Sequence, residues 1–278
     1  MAKQLPLIRT AGASAELLTS PSNAILVGGQ AIALWVSALG VTIPPALKAG
    51  VTVDVDYLGT RQDAQEHVDF LRASLQGRKL RCEVRFPEPF ENTPNSAKII
   101  IYNNDEVAAE IDYLNSIIGY AGHDEEKLRS RAISVDWAGV NGSVLQVMHP
   151  FDCLRSRIFN LYELPSKRGV FSVAQCHLAL SVLRAYIEHA IQSGALHRQL
   201  LFPLVEQVIE LTVSRAGVDA FHKFNLDVME ALPKIPPYEK FHEHRLPQAL
   251  RFIERRRYGR KKGRLPAEFQ NSALPILQ

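Results

Sequence analysis

Two aspartates one residue apart stand in the stretch "AGVTVDVDYLGT", Ala49 to Thr60. Side chains on a strand alternate between faces, so Val51, Val53 and Val55 share one face and Asp54 and Asp56 the other. Two carboxylates side by side repel, and burying either one unpaired is costly. A strand-borne D-x-D also sets oxygen ligands at a spacing suited to a hard divalent cation. Mg²⁺ takes one or two protein carboxylates and fills its octahedron with water and substrate phosphates. Taken alone, the pair reads equally well as a solvated strand face, because two-residue patterns recur by chance.

Two neighbouring stretches bear on that choice. Upstream, "LVGGQAIALW" reads as a strand over residues 24–28, a Gly28-Gly29 turn and a buried helix over residues 31–39. Glycines let backbone N–H groups approach an anion, and a helix N-terminus adds a favourable dipole. With no Walker lysine and no G-x-G-x-x-G, the stretch is neither a P-loop nor a dinucleotide fingerprint, and a tight turn packing a helix on a sheet is its other reading. Downstream, "EVAAEIDYLN" alternates so that Glu110 and Asp112 share one strand face. Asp112 offers a third carboxylate, with Glu110 either supporting it or salt-bridged at an edge. Asp136, in "AISVDWAG", is its rival.

The elements that must position these groups fall into two halves. "DAQEHVDFLRASLQ" has helical periodicity, and "LRCEVRF", "AKIIIYN", "AISVDWAG" and "SVLQVM" read as strands. After Pro150 helical patterns take over: "VAQCHLALSVLRAYIEHAI", "QLLFPLVEQVIELTV", "DAFHKFNLDVMEAL" and "PQALRFIERRRYG". The expected architecture is an α/β (α+β) domain over residues 1–148, a helical domain over 149–258, and a basic tail over 259–278.

Composition narrows the class. The 278 residues exceed the usual size of one domain, and a net charge of +3 is too small to demand a polyanionic partner. The charge is concentrated, however: Arg255, Arg256, Arg257, Arg260, Lys261, Lys262 and Arg264 crowd "RFIERRRYGRKKGR" around Tyr258. Such a run neutralises phosphates, and a tyrosine stacks on an unpaired base. A solubilising tail or contact with an acidic partner is the alternative. Cys82, Cys153 and Cys176 form no C-x-x-C, so a disulfide framework is not expected and a reducing cytoplasm fits. The uncharged segment 24–41 is nearly long enough to span a bilayer, but its Gly-Gly interruption and lack of basic flanks favour a strand and buried helix. His242 and His244 form an H-x-H without further ligands at metal-site spacing and read as a surface turn; His123 reads as a loop or helix cap.

Strand, Gly-Gly, helix, then a strand-borne D-x-D, then a third aspartate on a later strand resembles the nucleotidyltransferase superfamily of polymerase-β-like fold. "LVGGQAIALW", "TVDVDYLG", "IDYLNSIIG" and "VMHPFDCLRSRIFNL" resemble in particular its bacterial AbiEii-type branch, over about residues 24–170. The resemblance implies a nucleotidyltransferase-type mixed sheet with flanking helices, an all-helical C-terminal domain, and an active-site cleft between the two. It implies Mg²⁺ or Mn²⁺ held by Asp54, Asp56 and Asp112, and an NTP whose triphosphate is seated by Gly28, Gly29 and Gln30. A basic residue neutralising the phosphates would be Arg157 first and Lys167 second; Arg155 and Arg168 lie nearby. The implied reaction is transfer of a nucleoside monophosphate to an acceptor such as a tRNA. In the toxin–antitoxin setting of that branch, a cognate antitoxin would be a partner. Two departures stand out. Gln30 occupies the position where many members have a phosphate-binding serine, and the long gap from Gly29 to Asp54 implies an inserted loop around "GVTIPPALKAG". Transfer to a small molecule, metal-dependent glycosyl transfer, and non-catalytic nucleic-acid binding remain open beside it.

Overall fold

The computed structural model describes residues 20–43, 55–76, 80–136, 144–193, 198–233 and 241–259. Among these residues it is a mixed α/β structure with one seven-stranded sheet and eight α-helices. The chain divides into two compact units, Met1–Ser156 and Arg157–Gln278.

The first unit runs β1 (Ile25–Val27), α1 (Gly28–Ala38), β2 (Val55–Leu58), α2 (Arg61–Ser74), β3 (Leu80–Arg85), β4 (Asn95–Asn103), β5 (Glu106–Leu114), α3 (His123–Arg131), β6 (Ile133–Asp136), β7 (Val144–Val147), and then α4 (Pro150–Glu163), inside which the division falls. Strand order is β3-β4-β5-β2-β1-β7-β6, with β2/β5 and β1/β7 parallel and the other pairs antiparallel. In β5 the alternation expected from the sequence is present: Ala109, Ile111 and Tyr113 are buried, whereas Glu110 and Asp112 face the other way.

Helix α2 packs on one face of the sheet, over β3, β4 and β5. Thr60 starts that helix with a capping box: its hydroxyl accepts from Asp63 N–H at 3.2 Å while the Asp63 carboxylate accepts from Thr60 N–H at 2.7 Å. Val68 and Leu71 are fully buried, each contributing about 1.5–3 kcal/mol. Beside them His67 Nδ1 meets Tyr113 Oη at 2.7 Å, and Tyr57 stacks on Tyr113 at 5.4 Å. Burial raises the pKa of both phenols, so they stay neutral donors.

The β4–β5 hairpin sets a register that matters below. Its tip, Asn104-Asp105, has positive φ at both residues (47° and 68°), the geometry of a tight two-residue turn that Asn and Asp tolerate. The turn pairs Asn103 with Glu106 and Tyr102 with Val107, but Ile101 then pairs with Ala109. Ala108 is thus an extra residue, a β-bulge. Ser96 is a second one, on β4, between the Asn95 and Ala97 pairs. Its hydroxyl lies 2.9 Å from the Gly59 carbonyl and 3.2 Å from that of Tyr113.

The elements described in the second unit, after the end of α4, are a 3₁₀ turn (Pro165–Lys167), α5 (Val170–Gln192), α6 (Arg198–Val213), α7 (Arg215–Phe224), a 3₁₀ turn (Val228–Ala231), a π turn (Phe241–Arg245) and α8 (Leu246–Tyr258). The sequence pattern ran one helix across 219–232. The structure ends it at Phe224, where Asn225 takes the left-handed conformation (φ 52°) and Leu226 N–H bonds back to Ala220 O. Segment 24–41, weighed above as a span, is a three-residue strand and an 11-residue buried helix. Among the described helices α5 alone is long and apolar enough to cross a bilayer; Cys176, Leu178, Ala179, Val182, Leu183 and Ile187 on it are buried in the fold.

Helix α4 begins with an unusual cap. His149 O accepts from Cys153 N–H, and His149 Nδ1 accepts from Phe151 N–H at 3.1 Å, the part usually played by Ser, Asp or Asn. An accepting Nδ1 cannot carry a proton, and burial, then Arg131, lowers the His149 pKa to about 3. The unfolded chain takes up this proton below about pH 6.5. Stability from the neutral cap is therefore complete above that pH and is lost as pH falls toward 3. In denaturant titrations from pH 7 to pH 4, His149→Asn, which keeps a cap acceptor without titrating, should lose less stability than the wild type.

Candidate functional site

The site is built on four adjacent strands, β4-β5-β2-β1. In β2 the buried Val55 and Tyr57 flank Asp56; in β5 the buried Ile111 and Tyr113 flank Asp112. The strands are parallel, and their register sets Asp56 directly beside Asp112, so both carboxylates rise from one sheet face. The sequence predicted both placements by alternation but could not supply the register between the strands. Asp54, the other half of the D-x-D, lies outside the described residues.

On the far side of Asp56 comes the Gly-Gly stretch. β1 pairs Val27 with Asp56, and the chain then enters α1 at Gly28 with φ +71°. Thus the helix starts at the first glycine rather than after a turn, because one left-handed residue accomplishes the change of direction. A Cβ on Gly28 would stand 2.2 Å from Asp56 Oδ2. Glycine is required here twice over, for its φ and for the carboxylate packed against its backbone. Gly29 and Gln30 are buried in the first turn of α1, Gln30 at 1% exposure.

On the Asp112 side β4 contributes two groups that the sequence reading missed. Asn95 donates to Asp112 Oδ1 at 2.8 Å, and Lys98 Nζ lies 3.4 Å from the same oxygen. Lys98 also donates to Glu110 Oε2 at 2.8 Å. The Glu110 hydrogen bond, with the charges of Asp112 and Glu110, raises the Lys98 pKa against the opposing effect of burial, so the ammonium stays charged. A lone lysine inside "SAKIIIYN" is the one sequence signal that could have pointed to it.

Asp136 is removed from this constellation. It lies on β6, at the sheet edge, with β2, β1 and β7 between it and β5. Arg155 is engaged within the first unit, donating to Gly119 O at 2.8 Å and Asp124 Oδ2 at 2.9 Å over the face of Tyr120. Tyr120 in turn donates to the fully buried Asp152, which also pairs with Arg131. Burial raises the Asp152 pKa to about 6 against the pull of Arg131 and the Tyr120 hydroxyl. This cluster ties the turn after β5 to the start of α4.

The remaining candidates belong to the second unit. Arg157 is half-buried on α4, Lys167 is exposed in the 3₁₀ turn, and Arg168 donates to the carbonyls of Leu161 and Tyr162 at the end of α4. In the basic run, Arg255 and Arg256 are exposed on α8, with Arg256 Nε donating to Val213 O. Arg257 is an internal tie instead: its guanidinium forms a two-pronged ion pair with Asp227 and lies 3.9 Å over the Phe221 ring, its side chain only 10% exposed. Arg260, Lys261, Lys262 and Arg264 lie outside the described residues, as does the His242 side chain; His244 is exposed, and His123 is the first residue of α3.

Among the described residues no group of three or more His, Cys, Asp or Glu is arranged to hold a metal. The described donors are the two carboxylates Asp56 and Asp112, which suit a hard cation that draws its other ligands from water and phosphate. Comparison with protein-family models and with curated proteins gives no match for this chain.

Gly28→Ala should lower folding stability by about 3 kcal/mol, combining a left-handed backbone with a steric clash, measured by denaturant unfolding. Arg257→Gln, which leaves Asp227 without its guanidinium, should lower it by about 2 kcal/mol. Arg255→Gln should leave it within about 0.5 kcal/mol of the wild type.

Proposed function

We propose that this protein is a Mg²⁺-dependent nucleotidyltransferase that moves a nucleoside monophosphate from an NTP to an acceptor. The observation that carries the reading is the contact of Gly28 with Asp56, itself in register with Asp112. It joins in one place the glycine-led helix start and the carboxylates, which sequence alone offered separately. In this reading the sheet is of nucleotidyltransferase type and the chain after residue 149 is an all-helical domain.

Asp54, Asp56 and Asp112 would hold the divalent cation, Mg²⁺ or Mn²⁺. When bound, such ions neutralise charge on the attacking and leaving oxygens of a phosphoryl transfer. The first turn of α1, at Gly28, Gly29 and Gln30, offers N–H groups and a helix dipole to the triphosphate. Asp112, fixed through Oδ1 by Asn95, accepts the proton of the attacking hydroxyl. That oxygen bonds to the α-phosphorus as the bond to the pyrophosphate oxygen breaks. Arg157 and Lys167 are the proposed cations for the phosphates.

The acceptor proposed first is an RNA such as tRNA, bound with help from the basic C-terminal residues, in a cytoplasmic toxin whose partner is an antitoxin. A small-molecule acceptor is the second reading, favoured by the engagement of Arg257 with Asp227 inside the fold. Because α8 is packed through Arg257, a truncation separating the two readings should begin after Gly259.

With Mg²⁺, each α-labelled NTP in turn and total RNA, the full chain should label a defined RNA band, and Asp56→Asn should not. Label lost on truncation after Gly259 supports RNA as acceptor. Labelling of small molecules alone transfers the reading to the second acceptor class, and no labelled product of any kind with any NTP overturns the enzymatic reading.

A further inference from the structure

The acidic face carries a resident cation. Lys98 is half-exposed on β4 and sits between two carboxylates of β5, closer to Glu110 (2.8 Å) than to Asp112 (3.4 Å). Its position follows from the bulge at Ala108. Continued without a break, the turn's register would set Lys98 opposite the buried Ile111; the extra residue sets it opposite Asp112.

We propose that Lys98 is a positioning residue whose ammonium competes with a divalent cation for Asp112, with Glu110 as the counter-ion that receives it when the cation binds. This rests on the reading of Asp56 and Asp112 as a cation-binding pair. An ammonium and a divalent ion are both attracted to the same carboxylate and repel each other. Lysine is a compact point charge on a flexible four-carbon stem, so it can withdraw toward Glu110 by rotation about its side-chain bonds, without backbone movement. Without a divalent ion, Lys98 offsets the repulsion between Asp56 and Asp112. With one bound, Glu110 keeps the displaced charge paired. Asn95, neutral and on the same Asp112 oxygen, holds the carboxylate in place in both states.

Two substitutions move the affinity in opposite directions. Removing a unit charge about 6 Å from a divalent ion in a water-like dielectric tightens binding about tenfold. Lys98→Gln should therefore bind Mn²⁺ about tenfold more tightly than the wild type. Glu110→Gln, which leaves Lys98 with Asp112 alone, should bind it several-fold more weakly. The measurement is Mn²⁺ titration of the full chain without nucleotide, followed by the electron paramagnetic resonance signal of the free ion, with Asp56→Asn as the site control. Unchanged or weaker binding in Lys98→Gln, with wild-type binding intact, overturns the role of Lys98 and leaves the metal reading standing. No Mn²⁺ uptake by any form overturns both. Should Lys98→Gln fail to fold, Glu110→Gln decides alone, and affinity equal to or above that of the wild type overturns the proposal.

Discussion

Everything at the candidate site depends on two like charges held side by side. Parallel neighbours in a sheet lie about 5 Å apart, and two carboxylates at that separation repel by about 1–2 kcal/mol in a partly solvated setting. The fold meets that cost from both sides. Burial of Tyr57, Ile111 and Tyr113 on the opposite face leaves Asp56 and Asp112 no way to turn inward without expelling the aromatic core. Asn95 and Lys98 engage one carboxylate, and the bare backbone of Gly28 receives the other. The apolar packing under α2 is thus what makes an unfavourable polar arrangement durable.

Much of this was legible in the sequence. Period-two alternation located Asp56, Glu110 and Asp112 on their strand faces, and Gly28-Gly29 marked a departure from ordinary backbone. The partners were not legible, for a physical reason: a strand pattern states which way a residue points, never what it points beside. Asn95 and Lys98 reach Asp112 only through register, and two single-residue bulges set that register. Neither Ala108 nor Ser96 is a residue type that announces a bulge.

The basic run near the C-terminus shows the opposite limit. Read along the chain, its arginines look equivalent. In the fold Arg257 differs from its neighbours because Asp227 waits 30 positions upstream, presented there by the left-handed Asn225 that closes α7. The helical pattern over 219–232 concealed that break, since Phe221, Phe224, Val228 and Leu232 keep a helical spacing across it. Charge density counts cations; only tertiary pairing says which of them are available to a ligand.

The two bulges act on the β4–β5 hairpin like a pair of frameshifts, one opened at Ala108 and one closed at Ser96. Between them the pairs from Ala97–Tyr113 to Ile101–Ala109 run one step out of phase with both ends of the hairpin. Substitutions at the tip therefore leave this window untouched, whereas a one-codon deletion inside it, at Ile100, would with the Ala108 bulge kept bring Lys98 opposite Ile111 and take it from Asp112. Lineages could vary the tip freely yet lose the lysine–aspartate pairing through a single indel, with every site residue still present in the sequence. An alignment scored by residue identity would overlook that loss.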